Sequence, residues 1–232
     1  RLVGRADAVT VASRFLERRF GGSFLPHARD TEAWDPSRYD RAAARSRQGL
    51  GSGKVVMFLG TPRGHKGVDD LIDAVGALGP GVVLALVGVD SARGGAPRWS
   101  RFPHVKVAPE IPFDDVPRYL VAADVVAVPQ RETTDTVGQV PAKLFDAMAL
   151  ARPIVSTAVS MIPEILDGCG LVVEPGNVPA LAGAIKRLLD NPDEAAALGR
   201  RARERCEAHY SFRVARATLF PLIERLTAGK AG

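Results

Sequence analysis

Between Gly138 and Thr157 the chain reads GQVPAKLFDAMALARPIVST, residue types that suit an anion held at a helix end with a carboxylate one turn further in. Pro141 fits the first helical position, where its missing N–H costs nothing and its fixed φ favours the turn. The amides of Ala142, Lys143 and Leu144 are then unpaired first-turn donors. The positive end of the helix dipole and the Lys143 ammonium support them, so a diphosphate can lie there. Asp146 stands one turn on, shares the face of Ala142 and Lys143, and reaches a hydroxylated group carried on that phosphate. An ordinary amphipathic helix accounts for the same letters, with Leu144, Phe145, Met148 and Ala149 on a sheet and the charges in water. Taken alone, the segment favours that plainer reading.

Six short apolar runs supply the frame: Val55 to Leu59, Val82 to Val87, Val105 to Val107, Val125 to Val128, Ile154 to Val155 and Leu171 to Val173. Nearly unbroken apolar runs predict parallel strands buried on both faces, since a strand with one wet face alternates. Val68 to Leu78 carries apolar residues at helical spacing, and helices are also expected over Val116 to Ala123 and from Pro141 onwards. These elements predict a doubly wound, Rossmann-like parallel sheet of α/β class. Between the first run and its helix lies a glycine turn with Arg63, His65 and Lys66, at the carboxyl edge where open α/β sheets bind ligands. Solvated loop charge is the commoner fate of such cations.

After the last strand the pattern is helical: Asn177 to Leu189, a second start at Asn191 and Pro192, and a third segment from Ser211 or Phe212 to about Leu226. Upstream, a short strand over Ala6 to Ala12 precedes a helix from Arg14 to Phe20, an extended Phe24 to Pro26, and a polar Arg-rich connector from Trp34 to Gln48. Residues 1–21 are expected to be the tail of a preceding domain or a domain junction, and residues 22–232 the main domain with its C-terminal helices. The first residue is Arg1, which adds to the expectation of a missing N-terminal part.

Composition narrows the class. Hydrophobic residues make up 46% of the 232 and aromatic ones only 6%, which suits an aliphatic α/β core. No apolar run is long enough to span a membrane, and RLVGRADAVTVAS lacks the core of a signal peptide. The net charge of +5 comes from 31 basic residues scattered among 26 acids, with no long basic tract, so nucleic acid is not indicated. The surplus suits an anionic small ligand or an anionic membrane surface, with peripheral contact at the inner face as one option. The Arg200, Arg201, Arg203 and Arg205 run reads most simply as a solvated helix face. Cys169 and Cys206 show no metal spacing, which fits a reducing cytoplasm, and Cys169 reads as a small core residue. No metal cluster is visible, and no metal or other cofactor is expected.

Four features recur in order: FLGTPRGHKGVDDLIDAV, AADVVAVPQRE, PAKLFDAMALARPIVST and PEILDGCGLVVEPGN. In that order and at those separations they resemble the C-terminal, nucleotide-sugar-binding half of the family 4, or group 1, retaining glycosyltransferases of GT-B fold. ADAVTVAS and FLPHARDTEAWDP resemble that family's domain junction, with Pro26, His27, Ala28, Arg29 and Asp30 in place of Pro-Asn-Gly-Val-Asp. The resemblance implies a nucleoside diphosphate sugar as donor and an acceptor site in a separate N-terminal domain. It maps the diphosphate-binding lysine to Lys66. The usual arginine after Gly60 is Thr61 here, with Arg63 two residues on as substitute, and Arg63 and Lys66 become leaving-group stabilisers. The ribose-binding carboxylate maps to Asp146, and backbone contacts to the base to about Glu110 and Ile111. The other carboxylate of the paired-glutamate motif is replaced by Gly138, leaving Glu132, Asp135 or Gln139 to face the donor sugar. Val140 adjoins that site. His27 either lines the cleft or fills the junction.

Two other classes fit the same pattern: a GT-B enzyme that epimerises a nucleotide sugar, and a non-catalytic flavodoxin-like binding domain. A dinucleotide oxidoreductase fits less well, because no Gly-x-Gly-x-x-Gly follows a strand.

Overall fold

The computed structural model describes residues 3–90 and 95–228. Its centre is a six-stranded parallel sheet of β3 (Lys54–Leu59), β4 (Val82–Val87), β5 (Val105–Ala108), β6 (Val125–Val128), β7 (Ile154–Thr157) and β8 (Leu171–Val173). Each expected run is one of these strands, displaced by at most two residues at an end. Strand order is β5-β4-β3-β6-β7-β8, so the winding reverses between β3 and β6. The carboxyl ends of those two strands therefore open a crevice.

Parallel neighbours need crossovers, and the crossovers cover both faces. On one face Val56 and Phe58 pack with Leu71 and Ile72 of α3 (Val68–Gly76) and Ile185 of α8 (Val178–Asp190). On the other, Val55 and Met57 join Leu120 of α5 (Val116–Leu120), Phe145 and Met148 of α6 (Ala142–Ala149), and Ala202 of α9 (Pro192–His209). The alternation along β3 is thus the pleat delivering successive side chains to opposite cores. Short helices α4 (Gly95–Ser100) and α7 (Ile162–Ile165) complete the crossovers, and α10 (Phe212–Ala228) ends the described chain with no buried residue.

The upstream segment is more ordered than its composition indicates. The expected strand shrinks to β1 (Thr10–Val11), paired in parallel with β2 (Ser23–Phe24), and α1 (Arg14–Phe20) connects them. Trp34 to Gln48 is not a polar connector. It contains α2 (Arg41–Arg47), capped by Asp40, whose side chain accepts from the amides of Ala42 and Ala43. Trp34, Ala44 and Leu50 are buried in the core beneath it. Its arginines are fasteners: Arg45 donates to the carbonyls of Ala122 and Gly53 at 3.0 Å each and pairs with Asp124 at 2.5 Å.

On α9, Arg201, Arg203 and Arg205 likewise engage the protein rather than forming a purely solvated face, while Arg200 is exposed as expected. Arg201 donates to Gly168 O at 2.7 Å, and Arg205 to Ile165 O and Glu164 O at 2.9 Å each. Arg203 donates to the carbonyls of Trp34, Thr31 and Ala149. Carbonyls at loop ends need donors, and guanidinium supplies several in one plane.

Replacing Arg45 by methionine removes a charged donor from three acceptors, so it should destabilise the chain by about 2 to 3 kcal/mol. Arg47→Ala on the exposed side of the same helix should stay within about 0.5 kcal/mol. Chemical denaturation of both variants checks this; equal effects would mean that α2 is only loosely attached.

Candidate functional site

The crevice between β3 and β6 is walled by two loops that touch at a few points and leave a cavity beside them. The β3–α3 loop leaves the sheet at Gly60, whose φ of +119° is rarely open to other residues, and a Cβ there would lie 3.0 Å from Lys143 Nζ. The loop ends at Gly67, with φ +59°, where a Cβ would lie 1.8 Å from the Pro129 carbonyl oxygen of the β6–α6 connection. Only glycine permits that approach. Arg131 fastens both loops, its amide donating to His65 O at 2.9 Å and its guanidinium pairing with Asp70 at 2.5 Å.

A cavity of about 470 Å³ opens beside them, lined by Ala12, Leu16, His27, Lys66, Gln130, Gly138, Gln139, Val140, Pro141, Ala142 and Lys143. Lys66 ends a 3₁₀ turn (Gly64–Lys66), and its ammonium donates to Thr61 O at 2.8 Å. Burial, and then the charge of Arg63, lower its pKa. Arg63 itself is exposed and lies outside the cavity lining.

Lys143 differs from its expected outward role. Its stem is partly exposed, yet its amine is buried 3.9 Å above the centre of the Phe58 ring with no hydrogen-bond partner. Burial, and then the like charge of Lys66, push its pKa down to about 7, against a partial offset from Asp146. The Gln130 side-chain nitrogen is likewise buried and unpaired. Buried donors without acceptors are uncommon, and two on one cavity mark a place for an acceptor-rich ligand.

The start of α6 also shifts. Pro141 is the cap, extended at φ −68° and ψ 120°, and the helix begins at Ala142. The Leu144 amide donates to Pro141 O at 3.0 Å, which takes it out of the expected donor set and leaves Ala142 and Lys143 as the first-turn amides. Asp146 is 5% exposed, does not line the cavity, and forms an ion pair with Arg29. Burial raises its pKa, opposed by Arg29, Lys143 and His27. Arg29 also donates to Ala142 O at 3.2 Å, and its own backbone pairs with Tyr210 and Phe212. This one arginine ties the α9–α10 junction to the first turn of α6. The junction pattern Pro26 to Asp30 contains it, yet nothing in that pattern signals this tie.

Among the remaining residues, Thr61 Oγ1 donates to Glu110 at 3.1 Å, joining the ends of β3 and β5, while Ile111 packs at the edge of the core. Val140 is buried, and Gln139, Glu132 and Asp135 are exposed. Gly138, where the resemblance leads one to seek a carboxylate, is filled from the other side. A Cβ there would lie 2.7 Å from the Phe15 ring of α1, and Ser13 Oγ donates to its carbonyl at 2.8 Å. His27 lines the cavity 5.8 Å from the Phe145 ring, its pKa lowered by burial and then by Arg29. Burial pushes the thiols of Cys169 and Cys206 up, to about 11 and about 12, so neither is a ready nucleophile. Among the described residues no group of three or more His, Cys, Asp or Glu side chains could hold a metal, and no helix is long and apolar enough to cross a membrane.

Residues 53–191 match the family model for glycosyl transferases group 1, and the chain belongs to that family. Its sequence is 33% identical over 221 residues to the GDP-mannose-dependent alpha-(1-6)-phosphatidylinositol monomannoside mannosyltransferase of Mycolicibacterium smegmatis, covering 86% of this chain and 57% of that protein. It is 29% identical over 231 residues to the corresponding monoacylated-substrate enzyme of Corynebacterium glutamicum, covering 90% and 59%. Sucrose-phosphate synthase of Thermosynechococcus elongatus superposes with a TM-score of 0.81 at 26% identity, over 98% of this chain and 60% of that one. Anabaena HepE in complex with UDP-glucose has the same fold, with a TM-score of 0.80 at 20% identity over 98% and 65%. The chain spans a little over half the length of the curated relatives it matches.

The Lys143 amine has a consequence for stability. The unfolded chain holds its proton up to 10.5, whereas the folded chain releases it near 7. Between those values the unfolded state binds more protons, so stability rises with pH, by at most about 1.4 kcal/mol per unit from this group. Lys143→Met should therefore stabilise the ligand-free chain at pH 7 and flatten its stability between pH 7 and 9. Thermal melts across that range check this; an unchanged slope would place the ammonium in a solvated setting.

Proposed function

We propose that this group 1 glycosyltransferase chain binds the donor for a retaining transfer of a sugar from a nucleoside diphosphate sugar to an acceptor hydroxyl. The observation that carries the reading is the meeting of Lys66, Lys143 and the Gln130 amide on one cavity at the reversal of strand order, with two of the three donors unpaired. A diphosphate supplies what they lack, and the first-turn amides of Ala142 and Lys143 add to them.

The chemistry assigned to these groups is charge stabilisation. As the bond between sugar and diphosphate lengthens, negative charge grows on the leaving group, and fixed cations in a partly dry site stabilise it. Lys66 and Lys143 do this from within the cavity, and Arg63 of the same loop as Lys66 is the further cation offered, with no metal in the scheme. Gln139, Glu132 and Asp135 are the side chains offered to the sugar, and backbone near Glu110 and Ile111 to the base. A ribose contact by Asp146 has to use the carboxylate oxygen that Arg29 leaves free.

Residues 1–21 are assigned to the junction with a preceding domain and residues 22–232 to the donor domain. The acceptor site then belongs to the preceding domain. GDP-mannose and UDP-glucose are the donors to test first, since the names of a relative and of a structural neighbour contain them.

Calorimetry with GDP-mannose and UDP-glucose tests the reading. One of them should bind the isolated chain, and Lys66→Ala should weaken it by at least tenfold, because a charge-assisted contact is worth about 1.5 to 3 kcal/mol. Sugar transfer with retained configuration should require the full-length protein. A folded Lys66→Ala chain with undiminished affinity would overturn the phosphate assignment, and an inverted product the proposed chemistry.

A further inference from the structure

The amine of Lys143 has a setting that suits one protonation state when the cavity is empty and another when an anion fills it. A protonated ammonium has three N–H groups to place. Here it has no acceptor, only the face of Phe58 at 3.9 Å. The backbone of Gly60 closes the other side, since even a methyl group there would come within 3.0 Å of the nitrogen. The charged neighbours do not compensate. From the β3–α3 loop comes Lys66, of like sign, itself acted on by the charge of Arg63. One turn along α6 is Asp146, already paired with Arg29 of the junction segment, and His27 of the same segment lines the cavity. The β6–α6 connection contributes Gln130, which presents another unpaired donor. The neutral amine is the form that fits this surrounding, and its lowered pKa agrees.

We propose that binding of the donor diphosphate is coupled to protonation of Lys143, which takes one proton from solvent as the phosphate oxygens enter. The inference rests on the reading of the cavity as a nucleoside diphosphate site. The step balances simply: the amine lone pair forms an N–H bond, the buffer acid gives up that proton, and the new ammonium donates to phosphate oxygens. One of the two diphosphate charges is thereby neutralised by a cation that the empty site did not hold. The coupling is strongest in weakly basic solution. At pH 6 the amine is already charged, whereas at pH 8 most of it must be charged by binding. Donor affinity should then fall about tenfold from pH 6 to pH 8.

Calorimetry of GDP-mannose and UDP-glucose at pH 8, in two buffers of widely different ionisation enthalpy, counts the protons taken up. The phosphates of these diesters do not titrate there. The chain should take up ~0.9 proton per bound nucleotide sugar at pH 8 and far less at pH 6. Lys143→Met should bind more weakly with no uptake, and Lys143→Arg, charged throughout, should bind with no uptake and with affinity independent of pH between 6 and 8. Binding without buffer dependence in the unaltered chain overturns the coupling and leaves the donor reading standing. Uptake that survives in Lys143→Met assigns the proton to another group on the cavity, Lys66 or His27, and also overturns it. Binding of neither nucleotide sugar by the unaltered chain fells the donor reading and the coupling together.

Discussion

The amine of Lys143 lies against the ring of Phe58 where the fold supplies it with no oxygen. A buried cation without acceptors is expensive, so a structure that keeps one needs either a neutral amine or an anion from outside. The empty site calls for the first, and the proposed donor supplies the second. The other features of the crevice arrange themselves around this constraint. Lys66 adds a second positive charge to the same cavity, its ammonium held on Thr61 O. Gln130 adds a donor, and Asp146, which could have neutralised Lys143, is engaged by Arg29 instead. The empty site is thus short of acceptors, and a diphosphate is an acceptor-rich ligand of suitable charge.

The backbone makes that arrangement possible by close approach. The winding of the sheet reverses between β3 and β6, so their loops diverge to opposite faces and leave space between them. Gly60 and Gly67 bring the β3–α3 loop against Lys143 on one side and Pro129 on the other. Arg131 and Asp70 then fix the separation of the walls. From the upstream segment, Phe15 fills the space over Gly138 and Arg29 reaches the first turn of α6. The crevice is therefore jointly shaped by the sheet and by residues that precede it in sequence.

The sheet was legible because strands buried on both faces must be apolar throughout, and runs such as Val82 to Val87 have no other economical explanation. The candidate site was legible as a set of loops, with Lys66 and Lys143 following the carboxyl ends of β3 and β6. Side-chain direction was not. Lys143 at a helix start reads as an outward cation, and only the packing of Gly60 and Phe58 shows the amine turned under. Arg29 and Gln130 stand inside motifs that assign them no role, since their roles depend on contacts more than a hundred residues away for Arg29 and on an unfilled hydrogen bond for Gln130. Trp34 to Gln48 reads as a polar connector because its many arginines suggest solvent, although Arg45 of α2 engages carbonyls and Asp124. Arg201, Arg203 and Arg205 of α9 read as solvated for the same reason.

A crystal structure of the chain grown with GDP-mannose or UDP-glucose tests the central claim most directly. Diphosphate density should lie in the cavity of Lys66, Gln130 and Lys143, with a phosphate oxygen within hydrogen-bond distance of the Lys143 amine and the sugar towards Gln139. Ordered nucleotide elsewhere, for example in the groove between α2 and α5 that Arg47 and Arg118 line, with the Lys143 amine still unpartnered, would contradict the account.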